Sequence, residues 1–110
     1  MLVHGTLTGR MATKHTPLVL GNWKMNPMTE AEAVTLAKGV KAALKKAGAV
    51  VVGITPPTLY IPAVAKIVKG SPLLLGVQHT VPGPVGAFTG NVSPAMVRPY
   101  GVTYALVGHS

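Results

Sequence analysis

The sequence predicts an α/β protein in which four parallel β-strands alternate with helices. Four apolar runs of strand length are separated by segments that have helical spacing or are rich in Gly and Pro. These joining segments are long enough for the crossover connections that parallel strands require. The βαβαβαβ order fits either an open doubly wound sheet or part of a barrel, and either places a binding site at the carboxyl ends of the strands.

The first strand and the first helix follow directly from local pattern. The apolar run 18–20 continues into "GNWK" and has the composition of a strand buried on both faces. A capping box at 29–32 then begins a helix, with both acids in its first turn and lysines in its last, and Gly48 ends it. The apolar face of this helix is predicted to carry Ala33, Leu36, Val40, Leu44 and Ala47.

The middle of the chain continues the alternation. Residues 49–54 form the second predicted strand, which the sequence Thr-Pro-Pro closes. A second helix is expected from about Pro62 to Gly70, because Pro suits the first helical position and Gly the end. Residues 73–77 form the third strand.

A long Gly/Pro-rich loop, 78–91, precedes the last predicted elements. Ser93 is the expected N-cap of a third helix, which Pro99 limits to about one good turn before Gly101. The run 102–107 is then predicted as a fourth, buried strand.

The charge balance is strongly basic. Ten Lys and Arg residues oppose two acids, Glu30 and Glu32, for a net charge of +8 with neutral His. Lys38, Lys41, Lys45 and Lys46 follow one helix, whereas Lys66, Lys69 and Arg98 occur singly. No aromatic residues are interleaved with these cations, so we expect solvated helix faces and no nucleic-acid partner.

Composition sets further limits. The chain has no cysteine, which excludes disulfides and thiolate metal sites, and no apolar run of about 18 residues that would predict a membrane span. Residues 1–16 are polar, rich in Thr and free of acids, and we predict a disordered leader or an upstream extension there. Residues 17–110 are the predicted folded unit.

Polar residues follow three of the four predicted strands. They are Asn22 and Lys24 after the first strand, Gln78 and His79 after the third, and His109 and Ser110 after the fourth. A lysine at the end of a buried strand must be paired, solvated or serve an anion. By themselves these residues suggest a cationic, anion-binding site.

Specific motifs extend this interpretation. "GNWKMN" after the first strand, "GAFTG" and "VSPAM" after the third, and "YGVTYALVGHS" at the end occur in the order and spacing of the triosephosphate isomerase family, which residues 17–110 resemble. The resemblance implies an eight-stranded (β/α) barrel whose first four strands are present here. It also implies a cytoplasmic, homodimeric enzyme of glycolysis and gluconeogenesis, without metal or cofactor, that interconverts dihydroxyacetone phosphate and D-glyceraldehyde 3-phosphate through an enediol.

The resemblance assigns roles to five residues. Asn22 and Lys24 match the residues that orient the substrate and hold its oxygens and phosphate. His109 matches the neutral imidazole that polarises the carbonyl, and Ser110 matches the serine that contacts the catalytic glutamate. Thr89, in "GAFTG", matches the threonine that a protruding loop sends into the neighbouring subunit's site.

Two features depart from the family pattern. The general base of the family is a glutamate on a later strand end, so we expect an incomplete polypeptide that is inactive as an isolated 110-residue chain. His79 stands where the family has Asn, and Asn91 stands where it has Glu after "FTG". The alternative is a non-catalytic half-barrel fragment or scaffold that self-associates.

Overall fold

The structure, a computed structural model, describes residues 15–109, which form a four-stranded parallel sheet in the order β1-β2-β3-β4. Its strands are β1 (Leu18–Asn22), β2 (Val51–Thr55), β3 (Leu74–Val77) and β4 (Val102–Ala105). A doubly wound sheet reverses its strand order, whereas this order follows the chain without reversal. The predicted fold class is confirmed: this is the arrangement of the first part of a (β/α)8 barrel.

Helices occupy each connection between strands. They are α1 (Glu30–Ala43), α2 (Ile61–Val68) and α3 (Pro94–Val97), with 3₁₀ turns at Leu44–Lys46, Thr58–Tyr60 and Arg98–Tyr100. All three helices were predicted, and their observed bounds agree with the expected ones to within a few residues. Among residues 15–109, no helix has both the length and the apolar character needed to cross a membrane.

Helix ends follow the predicted capping chemistry. The Thr29 hydroxyl accepts a hydrogen bond from the Glu32 N–H at 3.2 Å, which satisfies one free amide of the first turn of α1. Gly101 has a left-handed φ of 86° after α3, a conformation that glycine adopts without steric cost. The α-helical part of α3 is four residues long, as expected from Pro99.

The core lies between the helices and one face of the sheet. The predicted apolar face of α1 is wrong at two positions: Leu36 is 44% exposed, with Ala37 fully buried instead, and Ala47 is exposed beyond the end of the helix. Ala33 and Ala37 are one turn apart, and their small side chains let α1 approach its neighbours closely. The buried apolar residues are Ala33, Ala37, Ile54, Tyr60, Ile61, Val64, Val68, Leu73, Leu75, Val77 and Val97.

The outer strands are less buried than predicted. Val19 in β1 is 55% exposed, and no residue of β1 or β4 is fully buried, whereas β2 and β3 each contain fully buried residues. Val107, predicted as part of the fourth strand, lies beyond the end of β4 and is 62% exposed. The physical reason is position, because within residues 15–109 β1 and β4 each have one strand neighbour.

The predicted leader falls mostly outside the described residues. Positions 1–14 are not described, and His15 and Thr16 belong to no helix or strand. The division into a leader and a folded unit therefore stays a prediction.

Candidate anion-binding site at the strand ends

A cavity of about 580 Å³ lies where β1, β3 and β4 end. It gathers five of the six residues that the sequence placed at strand ends, and the sixth, Ser110, lies outside the described residues. Its lining consists of Asn22, Lys24, Met25, Gln78, His79, Thr80, Leu106, Val107, Gly108 and His109. An ammonium group and two imidazoles thus share one concave surface, which suits a small anion.

The segment that carries Lys24 folds back on itself through short polar side chains. The Asn22 side-chain oxygen accepts the Lys24 N–H at 2.9 Å, and the Asn26 side-chain nitrogen donates to the Trp23 carbonyl at 3.2 Å. Lys24 has a φ of 55°, and among the described residues it is the one non-glycine residue with positive φ. This conformation costs about 1–2 kcal/mol for a residue with a Cβ. Strain of this kind concentrates at functional sites.

Gln78 holds the strained residue in place. Its side-chain nitrogen donates to the Lys24 carbonyl at 2.6 Å and to the Thr55 carbonyl at 3.0 Å. The Thr55 carbonyl also accepts the Trp23 N–H at 3.1 Å, so the ends of β1, β2 and β3 are linked through one amide and one carbonyl. Sequence reasoning placed Gln78 at the site and gave it no role. Its two acceptors are distant in the chain, so no local pattern could have identified them.

Tyr104 lies across the sheet face opposite to the helices, against Gly53 and Gly76. Its hydroxyl makes a 2.8 Å hydrogen bond with the Thr55 hydroxyl. A Cβ at Gly76 would lie 2.2 Å from the Tyr104 ring, so the ring rests directly on the backbone of β3. Burial raises the pKa of the Tyr104 hydroxyl above its ordinary value of 10.0, and the hydrogen bond with Thr55 offsets part of this effect. The Tyr104 side chain is therefore a neutral phenol at physiological pH.

The loop after β3 is closed at its base by its own hydrogen bonds. His79 Nε2 and the Asn91 side-chain oxygen are 2.9 Å apart, so the two positions that depart from the family motif contact each other. The Thr80 hydroxyl and the Val81 N–H both donate to the Val92 carbonyl, at 2.9 and 3.1 Å. The His79 and Asn91 side chains therefore pair with each other at the base of the loop.

The sequence singled out two residues of this loop region, Ser93 and Thr89. Ser93 is the N-cap residue of α3 by position, yet its hydroxyl makes no capping bond and donates to the Pro84 carbonyl at 2.9 Å. The predicted N-cap position is confirmed, and the buried hydroxyl satisfies a loop carbonyl rather than an amide of the helix. Thr89 is exposed and does not line the cavity.

The site has the polar groups for binding an anion and lacks a metal cluster. Residues 15–109 contain no group of three or more His, Cys, Asp or Glu side chains that could hold a metal ion. Neither Glu30 nor Glu32 lines the cavity, although both lie in the first turn of α1. The arrangement can hold an anion with Lys24 and donate or accept protons through its imidazoles.

The sheet and its cavity define the class of protein first. A parallel sheet in sequential order, with its polar site at the carboxyl ends of the strands, belongs to the (β/α)8-barrel class. The triosephosphate isomerase family profile matches residues 17–110, and the chain belongs to that family.

Individual relatives agree with the family match. The chain is 46% identical over 95 residues to a triosephosphate isomerase of Psychromonas ingrahamii, which covers 86% of this chain and 38% of the relative. It is 43% identical over 94 residues to that of Caldanaerobacter subterraneus subsp. tengcongensis, covering 86% and 37%. With Rhodopirellula baltica the identity is 43% over 93 residues, covering 84% and 36%. The chain thus spans well under half the length of the curated relatives it matches.

Proposed function

We propose that this chain supplies the electrophilic and phosphate-binding part of a triose-phosphate isomerase active site. The reaction interconverts dihydroxyacetone phosphate and D-glyceraldehyde 3-phosphate through an enediol, a step of glycolysis and gluconeogenesis in the cytoplasm. The observation that supports this most is the cavity that brings Asn22, Lys24 and His109 together from β1 and the segment after β4.

The proposed roles follow from the chemistry of each group. An enediol forms when a base removes a proton from the carbon next to a carbonyl while a donor stabilises the developing oxyanion. His109 is the proposed donor to that oxygen, and the Lys24 ammonium is the proposed partner of the phosphate and of the developing negative charge. Asn22 uses its side-chain oxygen to accept the Lys24 N–H, which leaves its Nδ2 to donate to a substrate oxygen.

The base is not supplied by the described site. Proton removal needs a carboxylate near the substrate, and both acids of the chain lie outside the cavity lining. The resemblance places a glutamate on a later strand end, where Ser110 would contact it. We therefore expect the 110-residue chain on its own to produce no isomerisation above a heat-treated control. The proposed chemistry assigns no metal or cofactor, because one base, one donor and one cation complete the proton transfers.

A chimera tests the proposal most directly. Residues 17–110 would replace the matched segment of the Psychromonas ingrahamii relative, and isomerase activity would be measured by a coupled assay. Removing a preorganised electrostatic group costs about 10²–10³ in rate, so Lys24→Met and His109→Gln should each lower kcat by that order. Lys46→Met removes a lysine outside the cavity and should leave the rate unchanged. Equal activity of the Lys24→Met and Lys46→Met chimeras would contradict the proposal.

A binding measurement supports the same proposal without requiring turnover. Titration of the 110-residue chain with dihydroxyacetone phosphate should shift the amide NMR signals of Asn22, Lys24 and Gly108, and Lys24→Met should abolish the shifts. Shifts confined to residues outside the cavity would contradict the assignment of the site.

The family resemblance also suggests a homodimer, with Thr89 reaching the partner's site. The loop that carries it is consistent with a contact surface, since Val85 is 86% exposed and Phe88 55% exposed. The alternative proposal is a non-catalytic half-barrel that self-associates, which the single strand neighbours of β1 and β4 within residues 15–109 favour. Analytical ultracentrifugation separates these proposals: self-association that survives Phe88→Ser and occurs without triose-phosphate binding favours the half-barrel.

A further inference from the structure

Four lysines converge on a groove between α1 and α2, towards the carboxyl ends of both helices. Lys38, Lys41 and Lys45 lie at helical spacing along α1, and Lys66 joins them from α2. The groove has a volume of about 290 Å³, and Ala42 and Ile67 complete its lining. The sequence predicted that Lys66 stands alone, so this cluster, here called the lysine groove, is a product of the tertiary structure.

The lysine groove lacks compensating negative side chains. The two acids of the sequence, Glu30 and Glu32, lie in the first turn of α1, whereas the groove lies towards its carboxyl end. The carboxyl end of a helix carries about half a negative charge. At the carboxyl end of α2, the Lys41 ammonium donates a hydrogen bond to the Ile67 carbonyl at 3.0 Å. Two such helix ends offset about one of the four positive charges. Like charges at helical spacing repel each other, so the groove is suited to an anion that is itself multivalent.

We infer that the lysine groove binds a chain of closely spaced phosphate groups. Lysine ammonium groups are mobile point charges that pair with phosphate oxygens without demanding one geometry. No aromatic side chain lines the groove, so bases would find no stacking partner and binding would be independent of sequence. The phosphates can belong to a free polyphosphate or to a nucleic-acid backbone, which present the same chemistry. This activity is separate from the proposed isomerase site, because the groove and the strand-end cavity share no lining residue.

Two probes distinguish the sources of phosphate. One is inorganic tripolyphosphate, followed by calorimetry, and the other is a fluorescent DNA duplex, followed by anisotropy. If four lysines neutralise four phosphates of the duplex, the logarithm of the association constant falls with the logarithm of salt with a slope of about −3.6. Affinity then falls about 150-fold between about 50 and about 200 mM salt.

A pair of matched triple variants tests the location. The groove variant Lys38→Gln, Lys45→Gln, Lys66→Gln keeps Lys41 with its Ile67 hydrogen bond and should reduce the salt slope to about −0.9. The control variant removes the same charge outside the groove lining, at Lys46, Lys69 and Arg98. All six positions are exposed, so circular dichroism should show both variants folded like the parent.

Each outcome decides the inference. Binding of either probe that is lost in the groove variant and kept in the control supports it, and the probe that binds identifies the phosphate source. Failure of both probes to bind the parent at low salt would overturn the inference. Binding to vesicles of anionic lipid without binding to either probe would overturn it as well. An equal loss in the two variants would also overturn it, because the net charge alone would then explain binding. Neither outcome bears on Lys24 or on isomerase activity.

Discussion

Replacing Gln78 by methionine removes the amide that holds the backbone of Lys24 while nearly preserving side-chain length. The Gln78 side-chain nitrogen donates to the Lys24 carbonyl at 2.6 Å and to the Thr55 carbonyl at 3.0 Å. Methionine cannot donate either bond. We expect the turn at Lys24 to loosen and the free energy of unfolding to fall.

The size of the effect follows from two opposing terms. Each hydrogen bond contributes about 0.5–1.5 kcal/mol net, so the pair contributes about 1–3 kcal/mol. The left-handed conformation of Lys24, with φ 55°, costs about 1–2 kcal/mol. Because these values are comparable, the Gln78 hydrogen bonds are sufficient to hold Lys24 in its left-handed conformation. Without them, little free energy is left to oppose the strain. Thr55 keeps one partner through the Trp23 N–H, which limits the loss.

Trp23 provides the assay. It is the one tryptophan of the sequence, it precedes Lys24, and its N–H bonds to β2, so its fluorescence reports both global unfolding and the state of this turn. Urea titration of Gln78→Met should show a loss of about 1–3 kcal/mol relative to the parent. The second variant, Lys24→Gly, removes the strain that loss of Gln78 would relieve, and it should make the Gln78→Met loss larger in a double-mutant cycle. The same loss in both backgrounds, or a larger loss in the parent background, would refute this reasoning.

Two further expectations concern the sheet and its glycines. Because burial holds the pKa of Tyr104 above 10.0, its contribution to stability is fully present below pH 10.0 and is lost as the pH rises through the folded-state pKa. In pH-dependent unfolding, the free energy of unfolding of the parent should therefore fall more steeply in this alkaline range than that of Tyr104→Phe. The control Tyr100→Phe, which changes an exposed tyrosine, should behave like the parent. Identical slopes in all three proteins would contradict the burial argument. Gly76→Ala should cost about 1–3 kcal/mol in urea unfolding, because its Cβ would meet the Tyr104 ring at 2.2 Å. Gly39→Ala, with open space around its Cβ in α1, should gain about 0.5–1 kcal/mol, and a stabilised Gly76→Ala would show that the ring moves freely.

Features that depend on neighbours in the chain were predictable. Three such features involve residues within a few positions of one another. They are the capping hydroxyl of Thr29, the left-handed glycine after α3 and the shortening of α3 by Pro99. The alternation of apolar runs and helices predicted a parallel sheet, and the family motifs implied the barrel order that the structure has. The strand-end site could be located for the same reason, since parallel strands bring their carboxyl ends to one edge.

Features that depend on distant partners were decided by the tertiary structure. Ala37 lies in the core and Leu36 does not, although helical spacing alone is compatible with either residue facing the sheet. Close packing of α1 against its neighbours selects the smaller side chain. Ser93 bonds to Pro84 across the loop, and Lys66 joins the α1 lysines across the groove.

The sequence by itself determined the order of the elements and the residues at the strand ends, because both depend on local conformational preference and on period. The tertiary structure alone decided that Gln78 holds Lys24 in a strained turn. That contact joins residues whose chain separation leaves no local signal, and its energy exists only once β1, β2 and β3 lie side by side.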